Sequence, residues 1–266
     1  MKYEVTQLAK GTWMIRSMMV QMFLIEGDET AMLIDTGAGM GDLKAQVEKL
    51  TRKPLIVVNT HGHVDHAGGN FQFPQVWLHE DDFHAADWMC TLEERQGYVR
   101  SRLAVFAPDM AEAAVASLQP CAPYEKLALT EGQVFELGNR PIEVIFTPGH
   151  THGSVCFFDK KYRRIFTGDT INHGMLLQKS YECTALSTYV ASVKKLLARR
   201  KEFDTIMRCH GQPVGTHGDM YTLIDMVQGI IDGKNKCTHF VNPMRDCWTF
   251  NFGPYSIACD GPDAEL

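Results

Sequence analysis

No apolar run in the sequence is long enough to cross a bilayer as a helix, and no apolar segment follows a basic start. Met1-Lys2-Tyr3-Glu4-Val5 enters a strand-like pattern directly, so a cytoplasmic protein without a membrane anchor is expected. Excess positive charge is also lacking: 26 Lys and Arg stand against 32 Asp and Glu, a formal net charge of −6. That balance argues against a nucleic-acid partner, which would call for a basic stripe. The eight cysteines (Cys90, Cys121, Cys156, Cys183, Cys209, Cys237, Cys247, Cys259) include no Cys-x-x-Cys pair. Dispersed in this way, they suit buried thiols better than a disulfide framework. Low-complexity linkers and domain-sized charge shifts are missing too. A chain of 266 residues is long enough to bury a substantial core, as one large α/β domain or two small ones.

What the chain does have is concentrated in Thr60-His61-Gly62-His63-Val64-Asp65-His66-Ala67-Gly68-Gly69. The β-branched run Leu55-Ile56-Val57-Val58 before it reads as a buried strand delivering a loop. Imidazole and carboxylate side chains together are ligands for zinc or a similar divalent metal. His61 and His63 alternate in phase, so both point the same way if the chain stays extended. Asp65 and His66 continue around a turn.

This pattern resembles the metallo-β-lactamase superfamily of metal-dependent hydrolases, which includes glyoxalase II and the lactonases. Further segments match in order: Thr147-Pro148-Gly149-His150-Thr151-His152-Gly153-Ser154, Phe166-Thr167-Gly168-Asp169 and Cys209-His210-Gly211. The resemblance implies a single α/β domain over residues 1–266, a four-layer αββα sandwich with metals at one edge. It also implies the ligand assignment: His61, His63 and His150 on one metal, Asp65, His66 and His210 on the second, and Asp169 bridging. Two divalent ions are expected, zinc first, with iron or manganese able to use the same ligands. Asp35 would lie beneath the metal loop, in position to orient a ligand histidine; without the resemblance it reads as a strand-end turn residue. If the segment before His210 is extended, Cys209 points to the opposite face, away from the metals.

In chain order, Tyr3–Leu8, Thr12–Arg16, Met22–Glu26 and Ala31–Asp35 read as strands, the last two joined by the turn Gly27-Asp28-Glu29. Asp42 caps a helix carrying Leu43, Val47 and Leu50. From about residue 80 to 118 the composition turns to Ala, Glu, Met and Arg, and two or three helices are predicted as an insert. Trp88 on that insert is a candidate pocket residue, and by family resemblance Met19 and Met22 form another wall. Further strands are predicted at Val134–Leu137, Ile142–Phe146, Val155–Phe158, Arg164–Thr167 and Thr205–Cys209. The segment Thr170–Thr184 shows no periodicity. Helices follow at Leu186–Leu197 and from Met220 to near Gly233, and the tail carries strand-like runs around Trp248 and Tyr255.

The chemistry implied is attack by a hydroxide shared between two metals, with Asp65 orienting it and accepting its proton. Asp169 and the missing export signal argue against an antibiotic-cleaving enzyme, and little chain remains after His210 for the helical domain of glyoxalase II. A small-molecule ester, lactone or thioester is the expected substrate. No Lys or Arg lies between Thr60 and Gln75 or between Pro141 and Asp159, leaving Lys179 as the nearest candidate clamp for a phosphodiester. Phosphodiester cleavage, a mononuclear iron oxygenase and a non-catalytic metal-binding scaffold remain as alternatives. Tyr181, His173 and Tyr255 are candidates for the leaving-group acid, Tyr181 also for the pocket. A homo-oligomer stays open, and neither nucleic acid nor membrane is expected as a partner.

Overall fold

The computed structural model describes residues 3–18, 20–242 and 245–261. The chain divides into two compact units, Met1–Ile142 and Glu143–Leu266.

The first unit is built on one seven-stranded sheet whose spatial order follows the sequence. Its strands are β1 (Glu4–Ala9), β2 (Thr12–Ser17), β3 (Val20–Glu26), β4 (Ala31–Ile34), β5 (Leu55–Val58), β6 (Gln75–Leu78) and β7 (Glu125–Ala128). The first four strands pair antiparallel and the remainder parallel. Parallel central strands lie buried on both faces and therefore read as continuous apolar runs, which is how Leu55-Ile56-Val57-Val58 betrays itself. Between β4 and β5, α1 (Leu43–Leu50) starts where Asp42 Oδ1 accepts the Ala45 amide at 2.8 Å, a cap worth about 1 kcal/mol. A one-turn helix, α2 (Val64–Ala67), follows β5.

The predicted insert forms three helices, α3 (Phe83–Met89), α4 (Leu92–Phe106) and α5 (Ala111–Ala116). Val99, Leu103, Ala111 and Val115 pack with Ala38 and Met40 of the glycine-rich loop after β4. A buried cation holds the two together. Arg95 donates to the carbonyls of Ala38 (3.2 Å), Gly39 (3.1 Å) and Gln119 (2.9 Å) and lies over the Phe71 ring. Gly39 takes φ +70°, and a Cβ there would sit 2.4 Å from the Gly68 carbonyl oxygen, so no side chain fits. A short strand, β8 (Val134–Glu136), precedes the unit boundary.

The boundary falls at the start of β9 (Pro141–Phe146). In the second unit, the sheet order β14-β13-β11-β10-β9 joins β10 (Val155–Asp159), β11 (Arg164–Phe166), β13 (Thr205–Met207) and β14 (Val214–Gly215). A four-stranded sheet has the order β12-β17-β16-β15, from β12 (Gly174–Leu177), β15 (Thr238–Asn242), β16 (Arg245–Phe252) and β17 (Tyr255–Cys259). Helices α6 (Leu186–Ala198) and α7 (His217–Ile231) put Leu186, Tyr189, Val193, Leu223 and Val227 into this unit's core. The start of α7 is fixed by a reciprocal cap between Thr216 and Asp219.

Candidate metal centre

In the first unit the loop after β5 brings three buried imidazoles together. The ring centroids of His61 and His63 are 4.7 Å apart, and those of His61 and His66 are 4.0 Å apart. Their positions are set from beneath. Asp35 Oδ2 lies 2.8 Å from His66 Nδ1, while Oδ1 accepts the Thr60 amide at 2.8 Å. Asp35 adopts φ +66°, a left-handed conformation that costs a non-glycine residue energy, though Asp tolerates it better than most. The contacts to Thr60 and His66 hold it there. The His66 carbonyl is itself gripped by Asn59 Nδ2 (2.9 Å) and Thr36 Oγ1 (3.0 Å). Buried Asp82, which the sequence did not single out, accepts the Gly62 amide at 2.8 Å and anchors the middle of the loop.

Asp65 faces the insert. Tyr98 on α4 donates to its Oδ2 at 2.9 Å, and the Arg102 guanidinium lies 5.1 Å from the centre of the Tyr98 ring. Burial first, and the Asp65 charge second, hold the Tyr98 phenol well above its ordinary pKa, so it stays a proton donor. From sequence the aromatic and methionine residues of the insert, Tyr98 among them, read mainly as packing and secondarily as pocket lining, and Arg102 is not singled out. Neither is marked locally, because α4 spreads its apolar residues around the helix.

In the second unit the donors converge on one carboxylate. Asp169 presents Oδ2 to His150 Nε2 at 3.2 Å and Oδ1 to His210 Nε2 at 3.3 Å. His150 Nδ1 donates to the Leu176 carbonyl of β12 at 2.8 Å, which leaves the lone pair of the neutral ring on Nε2. A lone pair facing a carboxylate oxygen at that distance needs a proton or a cation shared between them. A divalent metal meets that need, and the donors are of the right type for one.

Cys209 departs from expectation. Its Sγ lies 2.7 Å from Asp169 Oδ1, turned toward the carboxylate. Strand β13 ends at Met207, so the two-residue alternation assumed for Cys209 and His210 does not reach them. His173 and Tyr255 are engaged elsewhere: Arg208 donates to His173 Nε2 and to Asp219 Oδ2, both at 2.7 Å, and the Tyr255 hydroxyl donates to Asp219. Burial, then the Arg208 charge, push the His173 pKa down.

Trp88 on α3 is 37% exposed, and Tyr181 lies half-buried in a 3-10 turn. Met22 is fully buried among Ile15, Leu24 and Leu33, so its side chain packs in the core of the first unit and forms no wall open to solvent. Met19 lies outside the described residues.

A sequence profile of the metallo-β-lactamase superfamily matches residues 16–225. The chain belongs to this superfamily. It is 30% identical over 197 residues to the human acyl-coenzyme A thioesterase MBLAC2, the match covering 66% of this chain and 66% of the relative. The chain thus spans just under two thirds of that relative's length. It is 23% identical over 192 residues to the hydroxyacylglutathione hydrolase GloC of Haemophilus influenzae, covering 70% of this chain and 82% of the relative. Among solved structures it is similar to a metallo-β-lactamase from Pontibacter korlensis (19% identity, TM-score 0.61, 85% of this chain and 99% of that one). It is also similar to the sec-alkylsulfatase Pisa1 from Pseudomonas sp. (18% identity, TM-score 0.67, 87% of this chain and 42% of that one). At these identities the structural likeness speaks for the fold alone, and the fold is the α/β metallo-β-lactamase fold expected from the motifs. Among the described residues, no helix is long and apolar enough to cross a membrane.

Proposed function

We propose that residues 1–266 act as one domain, a dinuclear metal-dependent hydrolase of small carbonyl substrates, thioesters first among them. The carrying observation is the posture of Asp169, whose two oxygens each meet a different histidine, as suits a carboxylate shared by two ions. In this reading His61, His63 and His150 hold one divalent ion, and Asp65, His66 and His210 hold the other. Zinc suits this set, and iron or manganese would accept it. When bound, such a pair supplies polarisation of the scissile carbonyl and water ionisable near neutral pH.

The chain's own residues orient and move protons. Asp35 and the Leu176 carbonyl each take the Nδ1 side of a histidine, turning Nε2 of His66 and His150 toward the ions. Tyr98 donates to Oδ2 of Asp65 and so orients the carboxylate that would receive the proton of the attacking water. Two observations favour a thioester. Both curated relatives described above are named for cleavage of an acyl group from a thiol carrier. A thiol, with a pKa of about 8.5, also leaves as thiolate without a general acid. An alkoxide would need one, and of the three candidates named from sequence His173 and Tyr255 are committed to Arg208 and Asp219, which leaves Tyr181.

Phosphodiester cleavage remains the second reading, because Arg102 stacked on Tyr98 offers a cation beside Asp65. Elemental analysis of protein purified without chelator should approach two metal ions per chain. Release of free thiol from acyl-coenzyme A and acylglutathione should exceed turnover of bis(p-nitrophenyl) phosphate in kcat/KM. Full activity at one ion per chain would sink the dinuclear assignment. A clear preference for the phosphate diester would sink the thioester assignment.

A further inference from the structure

Cys209 has no part in the ligand set above, yet three polar groups of the second unit gather around the atom it touches. Asp169 Oδ1 lies 2.7 Å from Cys209 Sγ, 3.3 Å from His210 Nε2 and 3.0 Å from Asn172 Nδ2. The same Asn172 amide donates to Cys209 Sγ at 3.5 Å, so the sulfur is already an acceptor. A sulfur that accepts from an amide while pressed against a carboxylate oxygen must share with that oxygen either its own proton or a cation. The side chain is buried, with 1% of the residue exposed, so water cannot relieve the contact. The local chain geometry produces this convergence. After β13 the Arg208 amide bonds the Pro213 carbonyl at 2.9 Å, and Gly211 at φ +65° closes the turn. Cys209 and His210 therefore both reach Asp169, where a continued strand would have separated them.

We propose that Cys209 is a thiolate ligand of the ion held by Asp169 and His210, giving that ion a sulfur donor in addition to its nitrogen and oxygen donors. The inference rests on the metal reading given above. Binding replaces the S–H bond by a sulfur–metal bond, and the thiol proton passes to solvent. Thiolate is the softest donor in the set and selects zinc over manganese, so the sulfur would also decide which metal is retained.

Cobalt(II) substitution of the full chain tests this without reference to turnover. Cobalt bound by nitrogen and oxygen alone gives visible ligand-field bands, whereas a thiolate ligand adds a near-ultraviolet charge-transfer band. The cobalt-loaded wild-type protein should show both, and Cys209→Ser and Cys209→Ala should lose the near-ultraviolet band and keep the visible ones. Cys121→Ala, at an exposed cysteine, should change neither. Wild-type protein that binds cobalt with visible bands and no charge-transfer band would overturn the ligand assignment while leaving the metal centre standing, and this outcome needs no variant to fold. Persistence of the band in a folded Cys209→Ala protein would also overturn it. Failure of the wild-type chain to bind cobalt at all would overturn the metal reading and the inference with it.

Discussion

Tyr98 donates its hydroxyl proton to Oδ2 of Asp65 at 2.9 Å, joining the helical insert to the histidine loop. The bond orients a carboxylate that the proposed centre would use as a ligand. Tyr98→Phe should keep the fold, costing about 1 kcal/mol, because only the hydroxyl is removed. Metal affinity, read by chelator competition, should fall by roughly 10- to 100-fold, as expected when a group supporting a ligand is lost. Unchanged affinity together with unchanged kcat would show that Tyr98 only packs.

Asp35→Asn isolates a charge. Asparagine tolerates the left-handed backbone that Asp35 adopts at φ +66°, so the substitution avoids a new steric penalty. It removes the carboxylate facing His66 Nδ1 and makes that ring a poorer, less oriented donor. The expected result is a fall in metal occupancy after dialysis, with circular dichroism unaltered. Full occupancy would mean that Thr60 and Asn59 suffice to hold the loop.

Arg95→Ala should be costly for stability. The guanidinium supplies the carbonyls of Ala38, Gly39 and Gln119, and the variant leaves buried acceptors without it. A loss of about 3 kcal/mol in urea unfolding is expected. A loss below about 1 kcal/mol would show that water replaces the side chain.

Acid should weaken the second unit through Glu143. Hydrogen bonds from Arg199, at 2.7 and 3.1 Å, and from Lys160 lower its pKa from 4.5 to about 2. A carboxylate depressed in the folded state contributes stability above its unfolded pKa and loses that contribution as pH falls through the folded value. Stability should therefore decline between about pH 4.5 and about pH 2. Glu143→Gln should flatten that part of the profile; an unchanged slope would assign the decline to other carboxylates.

The histidine motif could be read from sequence because one short apolar strand delivers it and its donors lie within six positions of one another. Strands β3, β4 and β5 and helix α6 were legible for the same reason, each having a clear periodicity or an unbroken apolar run. Strand β12 was not: Gly174-Met175-Leu176-Leu177 is too short to show alternation, and among the described residues its only sheet neighbour is β17, far along the chain. Asp82 was hidden within Glu80-Asp81-Asp82, where nothing local marks the acid that turns inward. Cys209 misled for a related reason, since the alternation rule was applied past the strand's real end. In each case the deciding contact is tertiary.

The pairing of β12 with β17 has a consequence for biogenesis. The carbonyl that fixes the tautomer of His150 belongs to Leu176, and Leu176 pairs in parallel register with Ala258. A nascent chain emerging from the ribosome carries His61, His63, His66 and His150 long before Ala258 has been made. Until Tyr255–Cys259 arrives, the strand bearing Leu176 lacks the sheet partner it has among the described residues, and the Leu176 carbonyl that orients His150 is without that support. On the metal reading proposed above, loading of that ligand would be deferred to a late stage of synthesis, and an interrupted translation product would be expected to bind metal poorly.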